Sequence, residues 1–180
     1  TVAEISSFQL ETIHEFHPEI SAILNITPDH LNRHHTMDCY IKTKEAITTN
    51  QTKDEVCVLN YEDEVLRAFG ESAPVHVVWF SSARKLAEGF YLDGEEIFYA
   101  HDGNTEKVIN VNDLNLLGRH NYENVMAATA MSVNFGVPME KIVEVLKRFQ
   151  AVEHRIEYVT EKRGVRFYND SKGTNPDAAI

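Results

Sequence analysis

The chain has 180 residues, 43% hydrophobic and 25% charged, which is typical of a globular protein with one core or one core and part of a second. Its 17 basic and 28 acidic side chains give a formal charge of −11, which excludes binding to nucleic acid or anionic membrane through bulk positive charge. No apolar run approaches the roughly eighteen residues of a membrane helix, and two cysteines without a CxxC motif indicate a reducing compartment. We therefore expect a cytoplasmic protein with no nucleic-acid partner and no membrane insertion.

Apolar runs of strand length alternate with helical patterns in the first half of the chain. Strands are predicted at residues 1–5, 19–26, 55–60 and 75–80. Helices are predicted after residue 5, where Phe8, Leu10, Ile13 and Phe16 recur at helical spacing, and at 40–49 and 61–69. This alternation is typical of an α/β fold with a mostly parallel sheet flanked by helices.

The alternation of strand and helix patterns ends in the second half of the chain. Residues 89–111 predict antiparallel hairpins at an edge of the sheet, followed by helices at 120–135 and 139–149. A last hairpin is predicted from 153–159 and 165–170, and a domain boundary near residues 149–152. The chain lacks an initiator Met, opens within a predicted strand and closes on the start of a helix. We expect it to be part of a longer protein.

Two polar side chains follow neighbouring predicted strands. Glu4 and His30 come where strands end, and ligands of open α/β sheets gather at the carboxyl ends of strands. A carboxylate such as Glu4 suits Mg²⁺, although it would serve equally as a helix cap.

A zinc site formed by His30 and His34, four residues apart, is the alternative. The glutamate that would act as base in such a site is missing, and Pro28 indicates that His30 lies in a loop. His34 and His35 are therefore expected to face solvent or to support other ligands.

Polar residues also mark two later helix starts. Asn121 and Asn124 fall on one helical face, where their amides would read an adenine or ribose edge, or Asn121 would cap the helix. Asp170-Ser171-Lys172 leads through Gly173 and Thr174 into a predicted helix N-terminus that favours an anion. Arg155 suits bidentate phosphate contact, or an ion pair with a neighbouring glutamate.

These segments together resemble the Mur ligase family. The resemblance rests on EISSFQLE, NITPDHLNRH, YIKTK, LGRHNYEN, HRIE and NDSKGTN, in that order from Glu4 to residue 175. The first and last of these motifs point to the branch that adds D-glutamate. By resemblance, residues 1–151 are the later part of a central ATP-binding domain, and 152–180 open a Rossmann-like C-terminal domain. The family's phosphate-binding GKT/S loop is missing from this chain and should precede it.

The resemblance implies an ATP-dependent amide ligase of peptidoglycan precursor synthesis. ATP would phosphorylate the carboxylate of UDP-N-acetylmuramoyl-L-alanine, and the amine of D-glutamate would attack the acyl phosphate. The intact protein is expected to be a monomer, and this chain alone to be inactive. Another Mur or folylpolyglutamate-type ligase is one alternative, and a metal-dependent hydrolase built on His30 and His34 is another.

The resemblance also implies a role for individual residues. Two Mg²⁺ sites are implied, with Glu4 and His30 as ligands and with Lys44 carbamylated so that it becomes an anion. Catalytic roles fall on His30, Lys44 and Lys172. Contacts with ATP fall on Asn121, Asn124, Arg155 and Asp170, and contacts with the other substrates on Ser6, Gln9, Ser171 and Thr174. Asn32 and Gly173 stand where the family often has aspartate and alanine.

Overall fold

One mixed sheet organises the computed structural model, which describes residues 1–150, 153–155 and 157–173. Its six strands follow one another in chain order. They are Ile20–Ile23 (β1), Val56–Asn60 (β2), His76–Ser81 (β3), Gly89–Asp93 (β4), Glu96–His101 (β5) and Asn104–Asn110 (β6). β1 to β4 run parallel to one another, whereas β4, β5 and β6 pair antiparallel. The predicted α/β sheet with an antiparallel edge is therefore confirmed.

Helices cover both faces of this sheet. They are Ser7–Leu10 (α1), Leu31–His34 (α2), Met37–Glu45 (α3), Glu64–Ser72 (α4), Arg119–Asn134 (α5) and Met139–Arg148 (α6), with 3-10 turns at Ala46–Thr48 and Val111–Asp113. Side chains from neighbouring positions of β2 point to opposite faces, as the period of a strand requires. Val58 packs in a core with residues of α5 and α6, and Leu59 packs in a second core with residues of α3 and α4.

Local side-chain hydrogen bonds decide where several helices begin. Asp63 accepts from the backbone N–H groups of Val65 and Leu66 and so caps α4, while its other oxygen accepts from Ile26 at 2.7 Å. Thr36 caps α3 by accepting from the backbone of Cys39. The Asp63 contact ties the loop after β1 to the helix after β2, and so fixes the start of the segment that carries His30.

Two predictions for the first residues are wrong. Residues 1–5 form no strand, because no described strand pairs with them and most of their side chains are exposed. The helix after them is only α1, four residues long, and the apolar residues after Leu10 continue in a turn and an irregular segment. Glu4 therefore does not sit at the carboxyl end of a strand, and reaches its place through a loop.

A separate hairpin forms from Glu157–Lys162 (β7) and Val165–Asn169 (β8). The predicted first strand began too early, since residues 153–155 are turn and bend. Arg163 and Gly164 both have positive φ at the tip, which matches the LysArgGly turn in the sequence. The domain boundary near residues 149–152 stays a prediction, because residues 151 and 152 lie outside the described part.

Candidate active site

A buried histidine joins the first three helices. The His34 side chain is almost completely buried, and its Nε2 lies 3.0 Å from the hydroxyl of Ser7 in α1. Its Nδ1 lies 3.6 Å from a carboxylate oxygen of Glu11, and its ring packs between the rings of Phe8 and Tyr40. One side chain therefore ties α1, α2 and α3 together.

The burial of His34 shows that the first of its two expected placements, facing solvent, is wrong, whereas support of other ligands stays a prediction. Both of its ring nitrogens face side chains of α1 and the residue after it, so neither points toward His30 as a zinc pair would require. Glu11 also receives two hydrogen bonds from Arg33, which hold the pKa of Glu11 below its usual value. The zinc hydrolase alternative thereby loses its second ligand. His35 is exposed, as expected.

His30 lies at the start of α2, in a loop as the sequence predicted. Its φ of 54° is left-handed, a conformation that few side chains adopt without a local reason. Its backbone N–H donates to Asp29 at 2.7 Å, and its ring packs 4.9 Å from that of Phe8. The imidazole Nε2 lies 3.6 Å from the other Asp29 oxygen, and about half of the side chain remains exposed. The ring is thus held in place with one edge open.

Lys44 projects from the last turn of α3 into a half-buried position. Its ammonium lies 5.5 Å from the centre of the Tyr40 ring. Burial lowers the pKa of Lys44, and the negative charges of Asp29 and Glu4 oppose that shift in part. Asp29 and Glu4 therefore act on the charge of Lys44, although both lie far from it in the sequence.

Ser6 and Gln9 are occupied in starting α1. The Ser6 hydroxyl accepts from the Gln9 backbone at 3.3 Å, and the Gln9 side-chain oxygen accepts from the Ser6 backbone at 2.9 Å. Together they form a capping box. The cap of this helix is therefore Ser6, and the alternative role of Glu4 as the cap is wrong.

The start of α5 carries the two asparagines that were predicted to contact nucleotide. Gly118 precedes the helix with a φ of 94°, and its residue type supplies no side-chain cap. Asn121 donates to the Leu117 carbonyl at 2.7 Å, which fixes the orientation of its amide. Asn121 lies within the helix, so it is not the residue that caps it. Asn124 is exposed one turn further along.

The later candidates meet at the open end of the β7–β8 hairpin. The backbone N–H of Lys172 donates to the His154 carbonyl at 3.0 Å, and the Asn169 amide lies 2.8 Å from His154 Nδ1. These contacts bring the segment with Arg155 beside the turn that contains Asp170, Ser171 and Lys172. Glu157 accepts from the His154 backbone at 2.8 Å, so this glutamate is already engaged. Thr174 lies outside the described residues.

A family model described as the Mur ligase middle domain matches residues 1–132. The chain belongs to the Mur ligase family. The curated protein from Lachnospira eligens, UDP-N-acetylmuramoylalanine--D-glutamate ligase, is 63% identical over the whole chain, which covers 40% of its length. A protein of the same name from Clostridioides difficile is 48% identical over 99% of the chain and 40% of its own length. The chain thus spans about two-fifths of these relatives.

Solved structures of Mur ligases share the fold. MurF from Acinetobacter baumannii superimposes with a TM-score of 0.67 at 22% identity, over 90% of this chain and 36% of that one. MurC from Thermotoga maritima gives 0.66 at 22% identity, over 96% of this chain and 38% of that one. Within the part of the Mur ligase chain that is described, no helix is long and apolar enough to cross a membrane.

The charge of Lys44 decides whether the residues around it fit a cation. Among the described residues, no group of three or more His, Cys, Asp or Glu side chains could hold a metal ion. Mg²⁺ is usually held by one or two carboxylates together with substrate phosphates, so Glu4 offers one ligand of the preferred kind. A protonated Lys44 would repel the ion. The residues fit Mg²⁺ when Lys44 has lost its positive charge, and the lowered pKa favours that loss.

Sequence reasoning missed two residues here. Asp29 was not among the predicted site residues, although its carboxylate accepts from the His30 backbone and acts on the Lys44 charge. Its position in the motif with His30 was the available signal. The burial of His34 had no such signal, because it depends on Ser7, Phe8 and Tyr40 meeting in space.

Proposed function

We propose that these 180 residues are part of an ATP-dependent amide ligase that adds D-glutamate to UDP-N-acetylmuramoyl-L-alanine during peptidoglycan precursor synthesis. The structural observation that supports it most is the half-buried Lys44 in the last turn of α3, whose pKa is lowered by burial against the opposing charges of Asp29 and Glu4. High identity to ligases of that name supports the choice of D-glutamate. The whole enzyme is expected to act as a monomer in the cytoplasm.

Carbamylation of Lys44 is the first chemical step that the site favours. The neutral amine attacks the carbon of CO₂, a nitrogen–carbon bond forms, and a proton leaves to solvent. Because only the neutral amine reacts, the burial that lowers the Lys44 pKa promotes the reaction. The product is an anion at the position where a cation stood, next to Glu4 and Asp29.

The converted site would hold Mg²⁺ through Glu4, His30 and the Lys44 carbamate, in two neighbouring positions. Bound Mg²⁺ would neutralise the phosphate charge that builds up as ATP phosphorylates the alanyl carboxylate. His30 is suited to this place because Asp29 and Phe8 orient its ring while one edge stays open. Ser6 and Gln9 would meet the muramoyl substrate at the start of α1.

The remaining residues would position the other reactants. Asn121 and Asn124 would contact the adenine or ribose of ATP from the first turns of α5. Arg155 and Asp170 would contact the nucleotide from the hairpin side. Lys172, with Ser171 and Thr174 beside it, would stabilise the acyl phosphate as the amine of D-glutamate displaces phosphate. The amide, ADP and phosphate are the products.

The test is an assay of the intact ligase that contains these residues. With ATP, Mg²⁺ and UDP-N-acetylmuramoyl-L-alanine, we expect D-glutamate to yield an amide product detectable by mass, with one ADP released for each amide formed. D-alanyl-D-alanine, L-lysine and diaminopimelate are the competing substrates. Turnover with one of these in place of D-glutamate would reassign the branch, and hydrolysis without ATP would overturn the ligase proposal.

The isolated 180 residues provide a second readout. They contain no GKT or GKS motif, and we expect no ATP-dependent amide formation from them alone. Detectable turnover by this chain by itself would contradict the assignment of the phosphate-binding loop to another part of the ligase.

A further inference from the structure

A hydrogen-bond relay joins the end of β3 to the first turn of α5. The Arg119 guanidinium donates through Nε to the Ser82 hydroxyl at 2.9 Å and through a second nitrogen to the Ser82 carbonyl. The Ser82 hydroxyl in turn donates to the carboxylate of Glu123. Arg119 and Glu123 are four residues apart on α5, so both lie on the face that meets Ser82. We call these three side chains the Ser82 relay.

The relay couples two charged groups through one buried hydroxyl. Ser82 is 6% exposed, and its hydroxyl uses its donor on Glu123 and accepts from Arg119. Hydrogen bonds with a charged partner are stronger than neutral ones, and removing one partner leaves a buried polar group unsatisfied. The relay therefore holds the helix start more firmly than one surface ion pair would.

The start of α5 depends on this relay for its orientation. Gly118, at the N-cap, has a positive φ and provides no side-chain cap. The carbonyl of Gly118 accepts from Asn121 and Tyr122, but these bonds lie within the turn and do not fix its rotation relative to the sheet. The described contacts of Arg119 and Glu123 with Ser82 join that first turn directly to the end of β3.

We infer that Arg119, Ser82 and Glu123 are positioning residues for nucleotide binding, because they set the orientation of the helix turn that presents Asn121 and Asn124. This inference rests on the proposed function of those two asparagines. The relay itself does not need to touch ATP. Arg119 and Glu123 occupy one face of the turn, and the two amides lie two residues before and one residue after Glu123.

The test is steady-state kinetics of the intact ligase with Arg119→Ala, Ser82→Ala and Glu123→Gln. Arg119→Ala and Ser82→Ala are each expected to raise the KM for ATP by about tenfold, and Glu123→Gln, which loses the charge but keeps an oxygen that accepts from Ser82, by about threefold. All three should leave the KM for D-glutamate within about twofold. The preference for ATP over GTP should fall in the same variants, because misplaced amides would form poorer hydrogen bonds with the adenine base. Arg119→Lys keeps the charge but loses the two-pronged contact with Ser82, and should give an intermediate KM.

A matched control lies at the other side of the same strand end. Arg84 pairs with Glu62, and Glu62 also accepts from the Ser81 hydroxyl, so this trio has the same composition but makes its contacts away from α5. Arg84→Ala should leave the KM for ATP and the ATP preference unchanged. An equal rise of KM in Arg84→Ala would overturn the inference.

Two further outcomes separate the inference from the proposal beneath it. If Asn121→Ala and Asn124→Ala raise the KM for ATP while Ser82→Ala and Glu123→Gln lower only the melting temperature, the relay is structural and the inference fails. If neither asparagine variant changes the KM, the proposed nucleotide site fails first. A rise in Arg119→Ala alone, without Ser82→Ala, would also contradict the relay. Glu123→Gln preserves shape, so it remains informative if an alanine variant does not fold.

Discussion

The two sides of the candidate site are built in different ways. The proposed cation side consists of Glu4, Asp29, His30 and Lys44, on or beside α1, α2 and α3. Two of those helices have only four residues, which is too short to be stable without tertiary contacts. The proposed nucleotide side lies on α5, which has sixteen residues and buries a row of side chains against the sheet.

This difference predicts how each side responds to mutation. On the cation side, positions depend on contacts that converge on His34, so one change should move several functional groups at once. On the nucleotide side, the body of α5 is fixed by the core and its first turn by the Ser82 relay, so a change at one amide should stay local. Single substitutions can therefore break or sharpen the contrast.

The largest effect is expected from the cation side at Lys44. Lys44→Ala removes both the amine that CO₂ would modify and the anion that would result, so we expect kcat of the intact ligase to fall by about 10³-fold. Asn124→Ala, an exposed position on α5, should instead change mainly the KM for ATP. Full activity of Lys44→Ala without added bicarbonate would contradict the assigned role.

A second test removes the buried histidine. His34→Ala leaves the Ser7 hydroxyl without its buried partner and opens a gap between Phe8 and Tyr40, so the melting temperature of the intact ligase should fall by about 5 °C or more. The Mg²⁺ concentration needed for half-maximal activity should rise as well. His35→Ala, at the exposed neighbour, is the matched control and should change neither quantity.

If His34→Ala were as stable and as active as the parent, the contacts of α1, α2 and α3 with this residue would not contribute to the stability of the fold. The contrast between the two sides would then disappear.

A pH effect should follow from the lowered pKa of Lys44. Below that pKa the amine is mostly protonated, and each unit of pH increase raises the neutral fraction by about tenfold. Because the pKa of Lys44 is lowered, this increase in the neutral fraction occurs at pH values below 10.5, the ordinary pKa of a lysine. Ligase depleted of CO₂ should therefore regain activity faster at higher pH when dissolved CO₂ is held constant. A reactivation rate independent of pH would show that the neutral Lys44 amine is not the reacting group.

The smallest effect is expected at Cys57, which lies in the same core as Tyr40. Its thiol is fully buried, and burial raises its pKa to about 11, so alkylation in the native protein should be very slow. His34→Ala should accelerate that alkylation severalfold, as measured by mass spectrometry of the intact ligase. Arg119→Ala, on the other face of the sheet, should not accelerate the alkylation of Cys57. Equal acceleration by both variants would contradict the difference between the cation side and the nucleotide side.

The strands of the sheet could be predicted because each is specified by a short, continuous segment of the sequence. Apolar runs such as residues 55–60 and 75–80 are long enough to specify buried parallel strands, and both form within a residue of their predicted bounds. Residues 1–5 have a similar pattern, yet no described strand pairs with them. An apolar run in the sequence does not show whether a neighbouring strand is available to pair with it.

The site was less predictable because its contacts join distant segments. The resemblance named Lys44, but the lowering of its pKa follows from its burial in the folded chain. The burial of His34 could not be predicted from its own segment, because it depends on contacts with Ser7 and Phe8 of α1. The Ser82 relay joins residues 37 positions apart, a separation that no local motif records.

The central claim is that Lys44 becomes an anion that completes the cation side. It is tested most directly by carbon-13 NMR of the intact, active ligase equilibrated with labelled bicarbonate. We predict one carbamate resonance that is absent from Lys44→Arg and that disappears together with activity when CO₂ is removed. A fully active ligase without any carbamate resonance, or with one that persists in Lys44→Arg, would contradict it.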